Sequence, residues 1–370
     1  MSRCAETYSF PRVHAFFYLW YGNPETDGRY LHWNHEILPH WDPKVRERYP
    51  YGIRFRPPEE IHSGFYPRRG CYSSRDRGTL KAQLKELVDH GVGAVVASWW
   101  GPEFRVGTSD TQGVSTDSAI LDLVAAAEEI SGMYVAFHLE PYPGRSAETV
   151  REDVRYLLDR VGSSPALLRL HGKPFFYVYD SYHISSTEWA SILANESKLT
   201  VRGTPYDGIF IALFLNKGDG EDVIEGHFDG FYTYFASEAV SYGSKHSNWK
   251  ALAALAKETG KLFAASVGPG YNDTRIRPWN AVTTVDREGG LAYDRAWSAA
   301  TGAGADIVSI TSYNEWGEGT QIEPAIEKEG YSYYGKGKPD PDLYLDATLR
   351  WSEKFQTATG RVVGDQHEEL

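Results

Sequence analysis

Residues 307–323 read IVSITSYNEWGEGTQIE, a run that changes character half-way. From Ile307 to Ser312, apolar and β-branched residues alternate with small hydroxyl residues, as in a buried strand. Gly317 and Gly319 then break the pattern, so the strand ends in a loop carrying Glu315, Glu318 and Glu323 with Tyr313 and Trp316 among them. Carboxyls beside aromatic rings on such a loop suit sugar chemistry. One carboxyl protonates a leaving oxygen while another takes a proton or supplies negative charge, and the rings pack on the C–H faces of a pyranose.

Outward from that strand, the same pattern repeats through the chain. Apolar runs predict strands at 13–21, 92–100, 134–142, 174–181, 208–215, 230–235 and 262–267, with 306–312 as the eighth. Helical spacing predicts helices at 79–90, 118–130, 147–161, 188–195, 249–258, 291–300 and 341–355, and a short one at 222–226. Near-continuous apolar strands alternating with helices imply a parallel sheet covered on its faces. Eight such units without a shift in composition predict an α/β fold of one (β/α)8 TIM barrel spanning 13–358. An N-terminal extension at 1–12 and a C-terminal tail at 359–370 flank it. A doubly wound open sheet is the competing fold, but no GxGxxG turn follows any strand. The polar, Pro-rich and aromatic segment 24–77 is too long for a simple connection. It is expected to form an ordered loop over the active face.

The predicted strand ends share a chemistry. They supply Trp20 and Tyr21, Trp99 and Trp100, His138 and Glu140, Tyr179 and Asp180, Tyr232 and Tyr234, Tyr271, and Asn314, Glu315 and Glu318. In a barrel these ends line the active site. A ring of aromatic, acidic and amide groups offers acceptors for hydroxyls and flat faces for stacking. Arg277 and Asn280, on the loop after the seventh strand, are candidates to read sugar hydroxyls. His32 and His35 are the nearest approach to metal ligands, but no second pair with helical spacing accompanies them, so no metal and no cofactor is expected.

Composition narrows the classes further. The net charge of −12 argues against nucleic acid or an anionic membrane as partner. Two cysteines, Cys4 and Cys71, supply neither a disulfide framework nor a thiolate metal site. No GxSxG elbow appears, which argues against an acyl hydrolase. The first residues lack the apolar run of a signal or anchor. That leaves an intracellular protein, or one whose targeting segment is absent from this chain. Asn195-Glu196-Ser197 and Asn272-Asp273-Thr274 match the glycosylation acceptor pattern, the second inside the expected active-site loop. Oligomeric state and compartment are not legible.

The motifs AFFYLWYGNPETDG, YLHWNHEILPHWDP, FYPRRGCYSSRD, FHLEPY, FYVYDSY, TPYDGIFIAL, FDGFYTYFA, SVGPGYNDTRIRPWN and ITSYNEWGEGTQIE occur in this order from about Val13 to about Phe355. Together they resemble the endo-α-1,2-mannosidase family of glycoside hydrolases. The resemblance implies a (β/α)8 barrel that cuts inside α-mannosyl chains at an α-1,2 linkage, releasing a disaccharide with retention. Its animal members are Golgi enzymes acting on glucosylated N-glycans, and its bacterial members act on mannans. It implies that Glu315 is a base on the sugar's own 2-hydroxyl, giving a 1,2-anhydro sugar, and that Glu318 is the acid on the leaving oxygen. It also implies that Glu140 holds the sugar near the cleavage point. His138, Tyr21, His32, Trp100, Tyr232, Tyr234, Tyr271, Arg277, Asn280, Asn314 and Trp316 complete the expected oligosaccharide site. Two departures stand out. Trp99-Trp100 replaces the Trp-Tyr of animal members, which bears on glucose against mannose, and Gly317 replaces their His. A glycosidase for another α-linked glycan and a non-catalytic carbohydrate-binding barrel are the alternative readings.

Overall fold

The computed structural model describes residues 10–359; Cys4 and the acidic tail Asp365–Leu370 lie outside them. Eight parallel strands close into a barrel: β1 (Val13–Phe17), β2 (Ala94–Trp99), β3 (Tyr134–Leu139), β4 (Lys173–Val178), β5 (Ile209–Leu213), β6 (Gly230–Tyr232), β7 (Leu262–Val267) and β8 (Ile307–Ile310). Neighbours in sequence are neighbours in the sheet. The ring shuts where β1 pairs β8, with Val13 opposite Val308. Helices follow the strands outside: α1 (Arg77–Asp89), α2 (Asp117–Ala127), α3 (Ala147–Val161), α4 (Ser186–Leu193), α5 (Asp219–Glu225), α6 (Trp249–Thr259), α7 (Leu291–Ala303) and α8 (Leu343–Thr359). Their starts are written in the sequence. Ser146 with Thr149 and Ser185 with Glu188 form capping boxes on α3 and α4, and Asp76 caps α1. No helix among the described residues is long and apolar enough to cross a membrane.

Period-2 alternation sorts each strand's side chains between barrel interior and helical layer. On β1, His14 and Phe16 face inward. His14 packs among Phe10, Phe175 and Tyr177, its Nδ1 2.8 Å from the Tyr177 hydroxyl. Burial lowers the His14 pKa to about 4, against a backbone contact that raises it. One layer higher, Phe16 packs on His138, Tyr177, Tyr232 and Tyr234. The outward phenylalanines Phe137, Phe176 and Phe210 stack in series across β3, β4 and β5. The barrel is therefore filled below and opens only above the Phe16 layer.

The strands are shorter than the apolar runs predicted. β1 stops at Phe17 rather than Tyr21, β3 at Leu139 rather than Tyr142, and β6 at Tyr232 rather than Phe235. Apolar residues continue past each strand because the rim is itself packed. Strand alternation consequently does not govern Tyr234, whose backbone is left-handed at φ 51°. Trp99, expected at the mouth, is buried on the helical side, its Nε1 donating to Asp117 Oδ1 at 3.0 Å. The short helix expected at 222–226 starts earlier, at Asp219. The 24–77 segment is ordered and buries Trp33, Ile61 and Tyr72. Its Tyr66–Pro67 pairs antiparallel with Ala325–Ile326, from the loop after β8.

Candidate active site

The loop after β8 is tied down at its base. Tyr313 N–H donates to Phe16 O at 2.9 Å, and Glu323 N–H donates back to Tyr313 O at 2.8 Å. Asn314 makes a paired amide contact with Tyr18: its Nδ2 donates to Tyr18 O at 3.0 Å and its Oδ1 accepts from Tyr18 N at 2.7 Å. The Tyr21 hydroxyl donates to Asn314 O at 2.8 Å and accepts from Trp316 N at 3.2 Å. Trp316 Nε1 donates to Glu323 Oε2 at 3.0 Å. Asn314, Trp316 and Tyr21, expected against the sugar, thus stand buried inside the loop with their polar groups spent on it. Glu323 is likewise enclosed, accepting also from Tyr72, Gln83 and Arg69.

The two remaining glutamates differ. Glu315 is buried at 5% exposure, and its backbone N–H donates to Ser312 Oγ at 2.8 Å. Its Oε2 accepts the backbone N–H of Glu318. Glu318 keeps 23% of its side chain exposed, and its Oε1 accepts from Arg277 Nη1 at 3.2 Å. Burial raises the Glu315 pKa well above the carboxylate range, the charge of Glu318 adding to it. Burial also raises Glu318, opposed by the adjacent Arg277 guanidinium. Two raised carboxyls three residues apart titrate as a pair.

Arg277 is itself held by Asp273, which is fully buried. Asp273 Oδ2 accepts from Arg277 at 3.0 Å, from Asn280 Nδ2 at 2.9 Å and from the Tyr271 hydroxyl at 2.9 Å, while its Oδ1 has no partner. Tyr271, Arg277 and Asn280 are thus one cluster on the loop after β7.

β2, β3 and β6 furnish another wall. Glu140 Oε1 accepts from Ser98 Oγ at 2.8 Å and lies 2.9 Å from His138 Nδ1. His138 Nε2 lies 2.7 Å from the Tyr232 hydroxyl. Burial keeps that phenol protonated, so His138 bridges the Tyr232 hydroxyl and the Glu140 carboxyl through its two ring nitrogens. Tyr232 is therefore occupied deep in the barrel. Tyr234 sits higher, hydroxyl to hydroxyl with Tyr18. Burial, with the charges of Glu140 and Glu318, raises Tyr18 well above its ordinary range, which brings both carboxylates to bear on one phenol. His32 stacks on Trp20 with ring centres 4.0 Å apart, its Nδ1 2.6 Å from Asp110 Oδ2 on the loop after β2. Half-buried Trp100 and buried Trp20 each carry a buried Nε1 without a hydrogen-bond partner. Among the described residues no group of three or more His, Cys, Asp or Glu is placed to hold a metal. Tyr18, Ser98, Asp110 and Asp273 escaped the sequence reading. Of these, Ser98 left a signal, as the inward neighbour of outward-facing Trp99 on β2.

Residues 10–357 match the model of glycosyl hydrolase family 99. The chain belongs to that family. This family 99 member is a glycoside hydrolase. It is 43% identical over 350 residues to rat glycoprotein endo-alpha-1,2-mannosidase, covering 93% of this chain and 74% of the relative. With the human glycoprotein endo-alpha-1,2-mannosidase-like protein it shares 44% over 350 residues, at 93% and 75% coverage. The structure of the GH99 endo-alpha-mannosidase from Bacteroides thetaiotaomicron superposes with TM-score 0.85 at 40% identity, covering 94% of this chain and 98% of that one.

Proposed function

We infer that this family 99 enzyme is an endo-acting α-mannosidase, and propose that it hydrolyses internal α-1,2-mannosidic linkages with retention, releasing a Glc- or Man-α-1,3-Man disaccharide. The observation that supports the reading is that Glu315 and Glu318 stand together on the loop after β8. Glu315 Oε2 accepts the Glu318 backbone N–H and Glu318 keeps 23% of its side chain exposed, while Glu323 is enclosed. Which of the two is base and which acid follows the family resemblance. Two adjacent carboxyls, both raised by burial, are the groups an acid and a base require.

In the first step Glu315 takes the proton of the reacting mannose's 2-hydroxyl as O2 attacks C1. The C1–O bond to the leaving sugar breaks, and that oxygen takes the proton of Glu318, leaving a 1,2-anhydro sugar. In the second step water attacks C1 and gives its proton to Glu318, while O2 regains one from Glu315. Two inversions give retention, and the pair ends as it began. Arg277 lies beside the carboxyl that becomes anionic in the first step, so its attraction grows with the developing charge. Burial would otherwise make Glu318 too weak an acid. Glu140, oriented by His138 and Ser98, is the acceptor for hydroxyls of the reacting sugar, with Tyr234 and Tyr18 beside it.

The test is product analysis on two matched oligosaccharides, one ending in glucosyl-α-1,3-mannosyl-α-1,2-mannose and the other in mannosyl-α-1,3-mannosyl-α-1,2-mannose. A disaccharide should appear from at least one. Glu315→Gln and Glu318→Gln should each lower kcat by about a thousandfold or more while oligosaccharide binding survives. Cleavage of a 2-deoxy substrate at the normal rate would sink the anhydro-sugar route.

A further inference from the structure

The long segment after β1 carries an aromatic surface that the catalytic site does not use. Trp41 is 83% exposed, although its ring is not loose. One face stacks on His40 with centres 3.8 Å apart, and His40 meets the edge of Trp279 at 5.3 Å. His40 is fixed in turn, its Nδ1 accepting the Asp42 backbone N–H at 2.9 Å. An indole pre-stacked on one side and open on the other is a rigid platform, which loses little freedom when it receives a flat apolar face.

The position of this platform matters as much as its exposure. Leu38 N–H donates to Ile276 O at 2.8 Å, docking the segment on the loop after β7. Ile276 immediately precedes Arg277, the partner of Glu318. Trp41 is three residues from Leu38, or at most about 11 Å of extended chain. The platform therefore stands against the loop after β7 that carries Arg277, which His40 also meets through Trp279.

We propose that Trp41, backed by His40 and Trp279, is an outer sugar subsite for the leaving portion of the substrate, stacking a mannose beyond the one whose oxygen Glu318 protonates. The inference rests on Glu318 being the leaving-group acid, since that assignment sets which end of the glycan runs past Arg277. Its occupant is a neutral α-mannosyl chain: the surface presents aromatic faces, and Asp42 and Glu47 nearby disfavour an anionic ligand.

The experiment compares Trp41→Ala and Trp41→Phe with wild type on two substrates identical on the released-disaccharide side. In one the leaving group is a single mannose; in the other it is a chain of four or more. Trp41→Ala should lower kcat/KM on the long substrate about tenfold, mainly through KM, and change the short one less than twofold. Trp41→Phe should recover most of the loss. Equal effects on both substrates, or none on either, would overturn the subsite alone. Failure of wild type to cut either substrate overturns the subsite and the proposed reaction together. A dimer in sedimentation that Trp41→Ala dissolves, with unchanged kinetics on the long substrate, gives the face to a second copy of the chain and overturns the subsite.

Discussion

Glu315 and Glu318 are separated by two residues yet meet different surroundings, and the difference can be titrated. Because burial raises the folded-state pKa of Glu315, its protonated form favours the native state. That contribution is complete below the ordinary carboxylate range and is lost as pH rises through the raised value. Glu315→Gln, always neutral, should therefore melt about 2–4 °C above wild type at pH 8. The gap should close as pH falls toward 4, as read by thermal unfolding across pH. Arg277 gives a second handle. It opposes the rise in Glu318, so Arg277→Gln should move the alkaline limb of the kcat/KM–pH profile to higher pH and lower its maximum. An unshifted limb would detach Arg277 from the acid. The choice of Glu315 and Glu318 among the loop's three glutamates came from the family resemblance, while the strand-ending loop itself was legible because Gly317 and Gly319 break the apolar run. That Asn314, Trp316 and Glu323 turn inward was not, since an irregular loop has no period to say which side chains face the ligand.

At the level of the element, the turn between the two glutamates is as tight as its glycines imply. A Cβ on Gly317 would sit 2.9 Å from His62 Cδ2, and one on Gly319, at φ 63°, would meet the Asn272 backbone at 2.9 Å. Gly317→Ala should cost about 1–3 kcal/mol by pushing on the His62 ring. His62→Ala should relieve that penalty, so that a double-mutant cycle in urea shows coupling between the two. Additive penalties would mean that the ring is not the obstacle. Helix starts were readable from Asp76, Ser146 and Ser185, because a cap is a local hydrogen-bond device. Strand ends were not. Leu19 and Tyr21 continue the apolar run of β1 while the main chain has already left the ladder, and Tyr234 reaches the site from a left-handed turn.

For the molecule as a whole, the barrel was legible because all eight strands carry near-continuous apolar runs, which only a sheet covered on its faces accommodates. What lay beyond reach was the convergence of distant loops. Asp273 reads as part of a glycosylation pattern, yet it is the buried hub from which Tyr271, Arg277 and Asn280 hang. Ser98 reads as a small strand residue, yet it donates to Glu140. Such roles depend on pairs far apart in sequence, and composition and period carry no trace of the pairing.

The clasp between Tyr66–Pro67 and Ala325–Ile326 has a mechanical meaning. It is reinforced by Arg68 N–H to Pro324 O at 2.8 Å, Ser332 N–H to Gly64 O at 2.9 Å and the Arg68–Asp342 ion pair. The exposed stretch around Tyr49 and Tyr51 lies before the clasp, while β1 is gripped by β2 and β8 on either flank. A protease nick there would sever the covalent thread without releasing either piece. Brief chymotrypsin treatment should give two fragments on a denaturing gel and one species on a native gel. The first strand would then be a keystone wedged between its neighbours, held in place although nothing tethers it.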